Sequence, residues 1–149
     1  AIILSPGPGR PENAGICIDV VKKLGKKIPV FGVCLGHQAI CKAYGAEVSY
    51  AKQLMHGKVS QAACSKDSVL FAGLPEQIPV GRYHSLAAVR ETMPEELKVT
   101  AVTDDGEIMA VEHVTDPVMA VQFHPESILT PDGKAIVENF LRMAEKHGV

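Results

Sequence analysis

The chain has 149 residues, with 15 Lys and Arg against 17 Asp and Glu, a net charge of −2 and 46% hydrophobic residues, enough for one core-forming domain over 1–149 without covalent staples. No apolar run reaches 18 residues, which excludes a membrane-spanning helix, and no basic cluster offers a track for phosphates, which argues against nucleic acid as a partner. The four cysteines, Cys17, Cys34, Cys41 and Cys64, form no C-x-x-C pair and follow no secretory leader, so free thiols in a reducing, cytoplasmic setting are expected rather than a disulfide scaffold.

The chain opens on Ala1-Ile2-Ile3-Leu4, an apolar strand with no initiator Met or polar lead-in. This reads as a start inside a sheet, with a strand-and-helix unit of roughly 30 residues missing before it. An apolar strand left at an edge is a template for pairing with another chain, so self-association, reduced stability or both are expected. Ser5-Pro6-Gly7-Pro8-Gly9-Arg10-Pro11 is too rich in Pro and Gly for helix or sheet and suits the presentation of backbone N–H groups. From Glu12 to Leu24, Ala14, Ile16, Cys17, Val20, Val21 and Leu24 keep a 3.6-residue period, and Gly25 closes the helix. Ile28 to Val33 is a buried strand by its β-branched and aromatic content. A second helix follows from Leu35 and ends at Gly45.

Beyond Gly45 the texture changes to short strands: Glu47 to Ala51, Lys58 to Cys64, Val80 to Val89, Lys98 to Thr103, Glu107 to His113 and Pro117 to Phe123. Thr103-Asp104-Asp105-Gly106 has the chemistry of a hairpin turn, so antiparallel pairs are expected among the last strands. A final helix is predicted with Thr130 as N-cap and Pro131 at its first position, presenting Ile136, Val137, Phe140, Leu141 and Ala144 on one face. The order strand, helix, strand, helix, then strands, predicts an α/β fold: an open mixed, mostly parallel sheet between helical layers.

Gly32-Val33-Cys34-Leu35-Gly36 joins a strand to a helix through a turn with a cysteine at its apex, the layout of a nucleophile elbow. The helix N-terminus there is expected to favour the thiolate. A cysteine nucleophile needs a base, and the base needs an orienting group. His124-Pro125-Glu126, at the end of an apolar strand, supplies both: proline keeps His124 out of the helical region, and side chains two apart on extended backbone face the same way. Acyl transfer also needs two N–H donors for an oxyanion, for which Leu35 and Gly7 are the candidates. Gln38, one helical turn beyond Cys34, is placed to read a substrate headgroup. Cys34, His37 and Cys41 share a helical face, so a zinc site is a rival reading, but it leaves the fourth ligand unassigned and the proline loop and H-P-E unit unused.

Taken together, Ser5-Pro6-Gly7-Pro8-Gly9, Gly32-Val33-Cys34-Leu35-Gly36-His37-Gln38, Met55-His56-Gly57-Lys58, Arg82-Tyr83-His84-Ser85-Leu86 and Phe123-His124-Pro125-Glu126-Ser127-Ile128-Leu129 resemble the signature blocks of the class I, triad-type glutamine amidotransferases. The likeness is to the glutaminase subunits of anthranilate synthase and aminodeoxychorismate synthase. The resemblance implies a three-layer, flavodoxin-like fold with Cys34 as nucleophile, His124 as base and Glu126 as its partner. It also implies a glutamine pocket lined by Gly7, Pro8, Gly9, Gln38, Ser85 and Leu86, no metal or organic cofactor, and L-glutamine as substrate. Its implied partner is a chorismate-aminating synthase subunit that receives the ammonia. A γ-glutamyl peptidase on the same elbow, or an inactive regulatory module, are the alternatives.

Overall fold

The computed structural model describes residues 1–148. Among them, β1 (Ile2–Leu4), α1 (Cys17–Leu24), β2 (Val30–Val33) and α2 (Leu35–Ala43) come first, then β3 (Val48–Tyr50), β4 (Lys58–Cys64), β5 (Gln77–Arg82) and β6 (Leu86–Ala88). They are followed by β7 (Leu97–Thr103), β8 (Ile108–His113), β9 (Val118–Val121) and α3 (Gly133–Lys146). Seven strands form one sheet in the order β1-β2-β9-β8-β7-β4-β5, and β3 and β6 form a small antiparallel ribbon. β1, β2 and β9 pair in parallel, whereas the pairs from β9 through β8, β7 and β4 to β5 are antiparallel. Because β8 and β4 alone are reversed, five of the seven strands point the same way.

The alternation of side chains along the parallel strands builds three layers. Phe31, Val33, Met119 and Val121 face α3 and pack with Ile136 and Phe140, the Phe31 and Phe140 rings lying 5.1 Å apart. Val30, Val118 and Ala120 face the other way and meet Val21 of α1 with Ile40 and Cys41 of α2. β2 and β9 are buried at every position, as strands covered on both faces must be. β1 is the sheet edge, and its Ile3 is 54% exposed. Beside it an apolar groove of about 590 Å³ runs between β1, β2 and α3.

Three elements depart most from the sequence reading, each for a local reason, while β2 begins at Val30 rather than Ile28, β5 at Gln77 rather than Val80, and β9 ends at Val121 rather than Phe123. The first helix begins at Cys17 rather than Glu12, because Pro11–Asn13 form a separate 3-10 turn and Gly15 takes φ +63° before α1. The run Val80 to Val89 divides: β5 ends at Arg82 against β4, Tyr83-His84-Ser85 leave the sheet, and β6 resumes at Leu86 against β3. The last helix starts at Gly133 with Asp132 as N-cap, not at Pro131 after Thr130. Thr130 is engaged elsewhere: its hydroxyl donates to His124 O at 2.8 Å and accepts from Gly81 N–H at 2.9 Å. The Thr103–Gly106 hairpin stands as expected, with Gly106 at φ +79° between antiparallel β7 and β8.

Candidate active site

The carboxyl ends of β1, β2 and β9 lie side by side, Leu4 opposite Gly32 and Val33 opposite Val121. Three loops therefore leave the sheet together, as at the ligand-binding edge of open α/β sheets. They carry Ser5–Gly9, Cys34 and His124–Glu126. Cys34 sits at φ 53°, ψ −101°, the only non-glycine residue of positive φ among those described. Such a conformation costs on the order of 1–3 kcal/mol and persists only where its surroundings enforce it. The flanking glycines enforce it by close approach. A Cβ on Gly36 would lie 2.2 Å from Leu4 O, and one on Gly32 would lie 2.5 Å from Gly36 O. The start of α2 is thus pressed onto β1, and Cys34 is projected from the turn.

His124 and Glu126 form the expected unit, with Nδ1 of His124 2.7 Å from Oε2 of Glu126. The segment is held from several sides. His124 N–H donates to Gly81 O at 3.0 Å, Thr130 holds His124 O, and the Tyr83 ring meets the imidazole edge-on with centroids 4.9 Å apart. Tyr83 in turn shares a 2.9 Å hydrogen bond with Ser127. Behind Pro125, α3 begins at Gly133 in direct backbone contact.

Cys34, His124, Glu126, Gly7 and Tyr83 line one cavity of about 430 Å³. A second, of about 140 Å³, shares Cys34, Gly7 and Tyr83 with it and adds Pro8, Gly9, Gln38, Ser85 and Leu86. Every residue assigned to chemistry or substrate from the sequence borders this pair of cavities except Leu35, whose backbone N–H lies against Cys34 Sγ. Gln38 donates from Nε2 to Leu86 O at 3.1 Å and to Gln122 Oε1 at 3.2 Å. Its Oε1 is left for a donor in the cavity. His84 Nδ1 also meets Leu86 O, at 3.0 Å, and its Nε2 accepts from Arg82 Nε at 3.1 Å. Arg82 is 1% exposed and pairs with Asp105 on the β7–β8 hairpin at 3.3 Å.

Gln122, Tyr83 and His84 reach the site without an assignment from the sequence. Gln122 donates from Nε2 to Cys34 Sγ at 3.5 Å, Tyr83 lines both cavities, and His84 lines the second. A polar residue inside the apolar run Val118–Phe123, directly before His124, was the available signal for Gln122.

Electrostatics correct one expectation. Burial pushes the Cys34 thiol up to about 11, outweighing the Leu35 N–H and the Gln122 amide that pull it down, while the charge of Glu126 adds to the rise. The Leu35 N–H at the start of the helix is thus outweighed by burial, against the expected thiolate. Burial, aided by neighbouring positive charge, lowers His37 to about 3 and His84 to about 4; both are therefore neutral at pH 7. His37 Nε2 lies 3.8 Å from Cys41 Sγ, and among the described residues no three His, Cys, Asp or Glu side chains converge as metal ligands. No helix among them is long and apolar enough to cross a membrane.

Comparison with known proteins places this geometry. The profile described as "Glutamine amidotransferase class-I" matches residues 1–144. "Bifunctional protein TrpGD" of Thermotoga maritima is 48% identical over 144 residues, covering 97% of this chain but only 24% of that protein. "Anthranilate synthase component 2" of Pseudomonas aeruginosa is 52% identical, covering 95% of this chain and 72% of the relative. "Aminodeoxychorismate/anthranilate synthase component 2" of Bacillus subtilis is 46% identical, covering 97% and 74%. A solved structure from Thermoplasma acidophilum, described as a putative GMP synthase protein, superposes with a TM-score of 0.86 at 26% identity, over 98% of this chain and 73% of that one. With a family profile spanning almost the whole chain and relatives near half identity, this chain belongs to the class I glutamine amidotransferases.

Proposed function

We propose that this chain is the glutamine-hydrolysing part of an anthranilate synthase, releasing ammonia from L-glutamine for a chorismate-aminating synthase subunit. The observation that carries the reading is the shared cavity: a cysteine held at a strained elbow opens onto the same space as a hydrogen-bonded His124–Glu126 pair. His124 takes the Cys34 proton, and the thiolate adds to the carboxamide carbon of glutamine. The oxyanion formed there is stabilised by the N–H groups of Leu35 and Gly7. Collapse breaks the C–N bond, His124 returns the proton to the departing ammonia, and a glutamyl thioester remains. Water, deprotonated by His124, then attacks the thioester and releases glutamate with the free thiol. Glu126 orients the imidazole and stabilises its charged form. Gln38 Oε1 and the loops of Gly7–Gly9 and Ser85–Leu86 bind the amino-acid end of the substrate.

The relatives named as component 2 of anthranilate synthase support the choice of partner. The Bacillus subtilis relative, whose name joins both products, supports a second reading in which the partner makes aminodeoxychorismate. The test is glutamate release from glutamine by this chain alone and with each type of synthase subunit, with chorismate present. Stimulation by the anthranilate-forming partner supports the first reading, and stimulation only by the other supports the second. Glutamate release from γ-glutamyl peptides with no response to either partner would refute both.

A further inference from the structure

Gln122 is wholly buried at the end of β9, between the elbow and α2. Its backbone is pinned, N–H to Met109 O at 2.8 Å, so its side chain has one direction in which to extend. That side chain touches two residues of the site, its Nε2 lying 3.5 Å from Cys34 Sγ and its Oε1 accepting from Gln38 Nε2 at 3.2 Å. The amide cannot be turned over without loss. Gln38 already donates to Leu86 O from the same nitrogen, so a flipped Gln122 would set two NH₂ groups face to face and point a carbonyl at the sulfur. Leu86 O, fixed by His84, therefore orients Gln38, Gln38 orients Gln122, and Gln122 presents an N–H to the thiol.

We propose that Gln122 is a positioning residue with two jobs: its Nε2–H holds Cys34 Sγ and favours the thiolate over the thiol, and its Oε1 turns Gln38 so that Gln38 Oε1 faces the substrate. This rests on the reading of Cys34 as the nucleophile. A thiol accepts hydrogen bonds weakly and a thiolate strongly, so a fixed donor stabilises the charged form selectively. The effect is largest where water is excluded, and Cys34 is only 7% exposed. The donor also opposes the rise that burial imposes on the thiol and that the Glu126 charge reinforces. His124, Glu126 and Tyr83 border the same cavity, with neutral His37 and His84 behind it. None of them is altered by replacing Gln122, so a shift in thiol titration reports on the amide itself.

The experiment is the pH dependence of Cys34 alkylation by iodoacetamide in the full chain, read by peptide mass spectrometry with Cys17 in the same sample as internal control. Gln122→Met keeps the length of the side chain and removes donor and acceptor. The expected result is an upward shift of the Cys34 midpoint by about one unit, equivalent to about tenfold less thiolate, with the Cys17 profile unchanged. In glutamine hydrolysis kcat falls and KM rises together, because both jobs are lost. Gln122→Glu keeps the acceptor for Gln38 but sets a carboxylate against the sulfur, so it raises the midpoint further while KM stays near that of the parent. Should Gln122→Met not fold, Gln122→Asn, which withdraws the donor by one methylene, is expected to give the same upward shift. An unchanged midpoint in folded Gln122→Met or Gln122→Asn overturns the inference. That outcome is distinct from a failure of the functional reading, which appears instead as glutaminase activity surviving in Cys34→Ser.

Discussion

Gly133→Ala tests whether the His124–Glu126 segment is positioned by α3. A Cβ at 133 would lie 1.7 Å from Pro125 O, 2.6 Å from its C and 3.0 Å from its Cα, all backbone atoms. Ordinary contact begins near 3.4 Å, so about 1.7 Å has to be found by moving Pro125, the start of α3, or both. No flexible side chain can yield instead. Overpacking of this kind costs about 1–3 kcal/mol of stability. If half the deficit falls on Pro125, His124 and Glu126 move by close to 1 Å, a misplacement that lowers turnover by about 10²-fold. The assay is kcat for glutamine hydrolysis at saturating substrate, alongside urea unfolding of the same sample. Lys134→Ala, on the same turn of helix with a 90% exposed side chain, is the control and should change neither. A Gly133→Ala chain with parental turnover and parental stability would refute the argument.

Cys34→Ser should abolish glutamine hydrolysis while leaving the fold intact, and a glutamine-mimicking electrophile should label Cys34 ahead of Cys17, Cys41 and Cys64. Faster labelling of another cysteine would displace the nucleophile from the elbow. Glu126→Gln should lower kcat by about 10²-fold with little change in KM, since its task is to stabilise an imidazolium that develops in the transition state; steady-state kinetics at pH 7.5 decide this. Stability should fall in acid, because His37 and His84 are held neutral with folded values near 3 and 4 against an ordinary 6.5. The unfolded chain then binds more protons below pH 6.5, so their contribution is full above that pH and is lost as pH falls toward 4 and 3. At pH 5 the loss is about 2 kcal/mol from each, and equal urea midpoints at pH 7 and pH 5 would contradict it. The β1 edge, with Ile3 half exposed beside an apolar groove, should make this chain associate at high concentration. A monomer at every loading concentration in size-exclusion chromatography with light scattering would rule that out.

Much of the candidate site was legible in the sequence because its two units, the elbow and the H-P-E segment, are each contiguous. Gly32 to Gly36 encodes a strand-to-helix turn through local sterics, and His124-Pro125-Glu126 encodes its own geometry through the proline and the two-residue spacing. Short-range constraints of this kind survive without tertiary context, as do strands such as Lys58–Cys64 and the Thr103–Gly106 hairpin. The remainder depends on groups brought together from far along the chain. Gln122 meets a sulfur 88 residues away, and Asn139 of α3 anchors Leu70 O from 69 residues away. Thr130 abandons the cap its sequence suggests because Gly81 and His124 offer its hydroxyl better partners. The thiol is the clearest case. A helix N-terminus is visible in the residue string and argues for a low value, whereas burial is a property of the packed chain, and its desolvation of the charge outweighs the Leu35 N–H and the Gln122 amide.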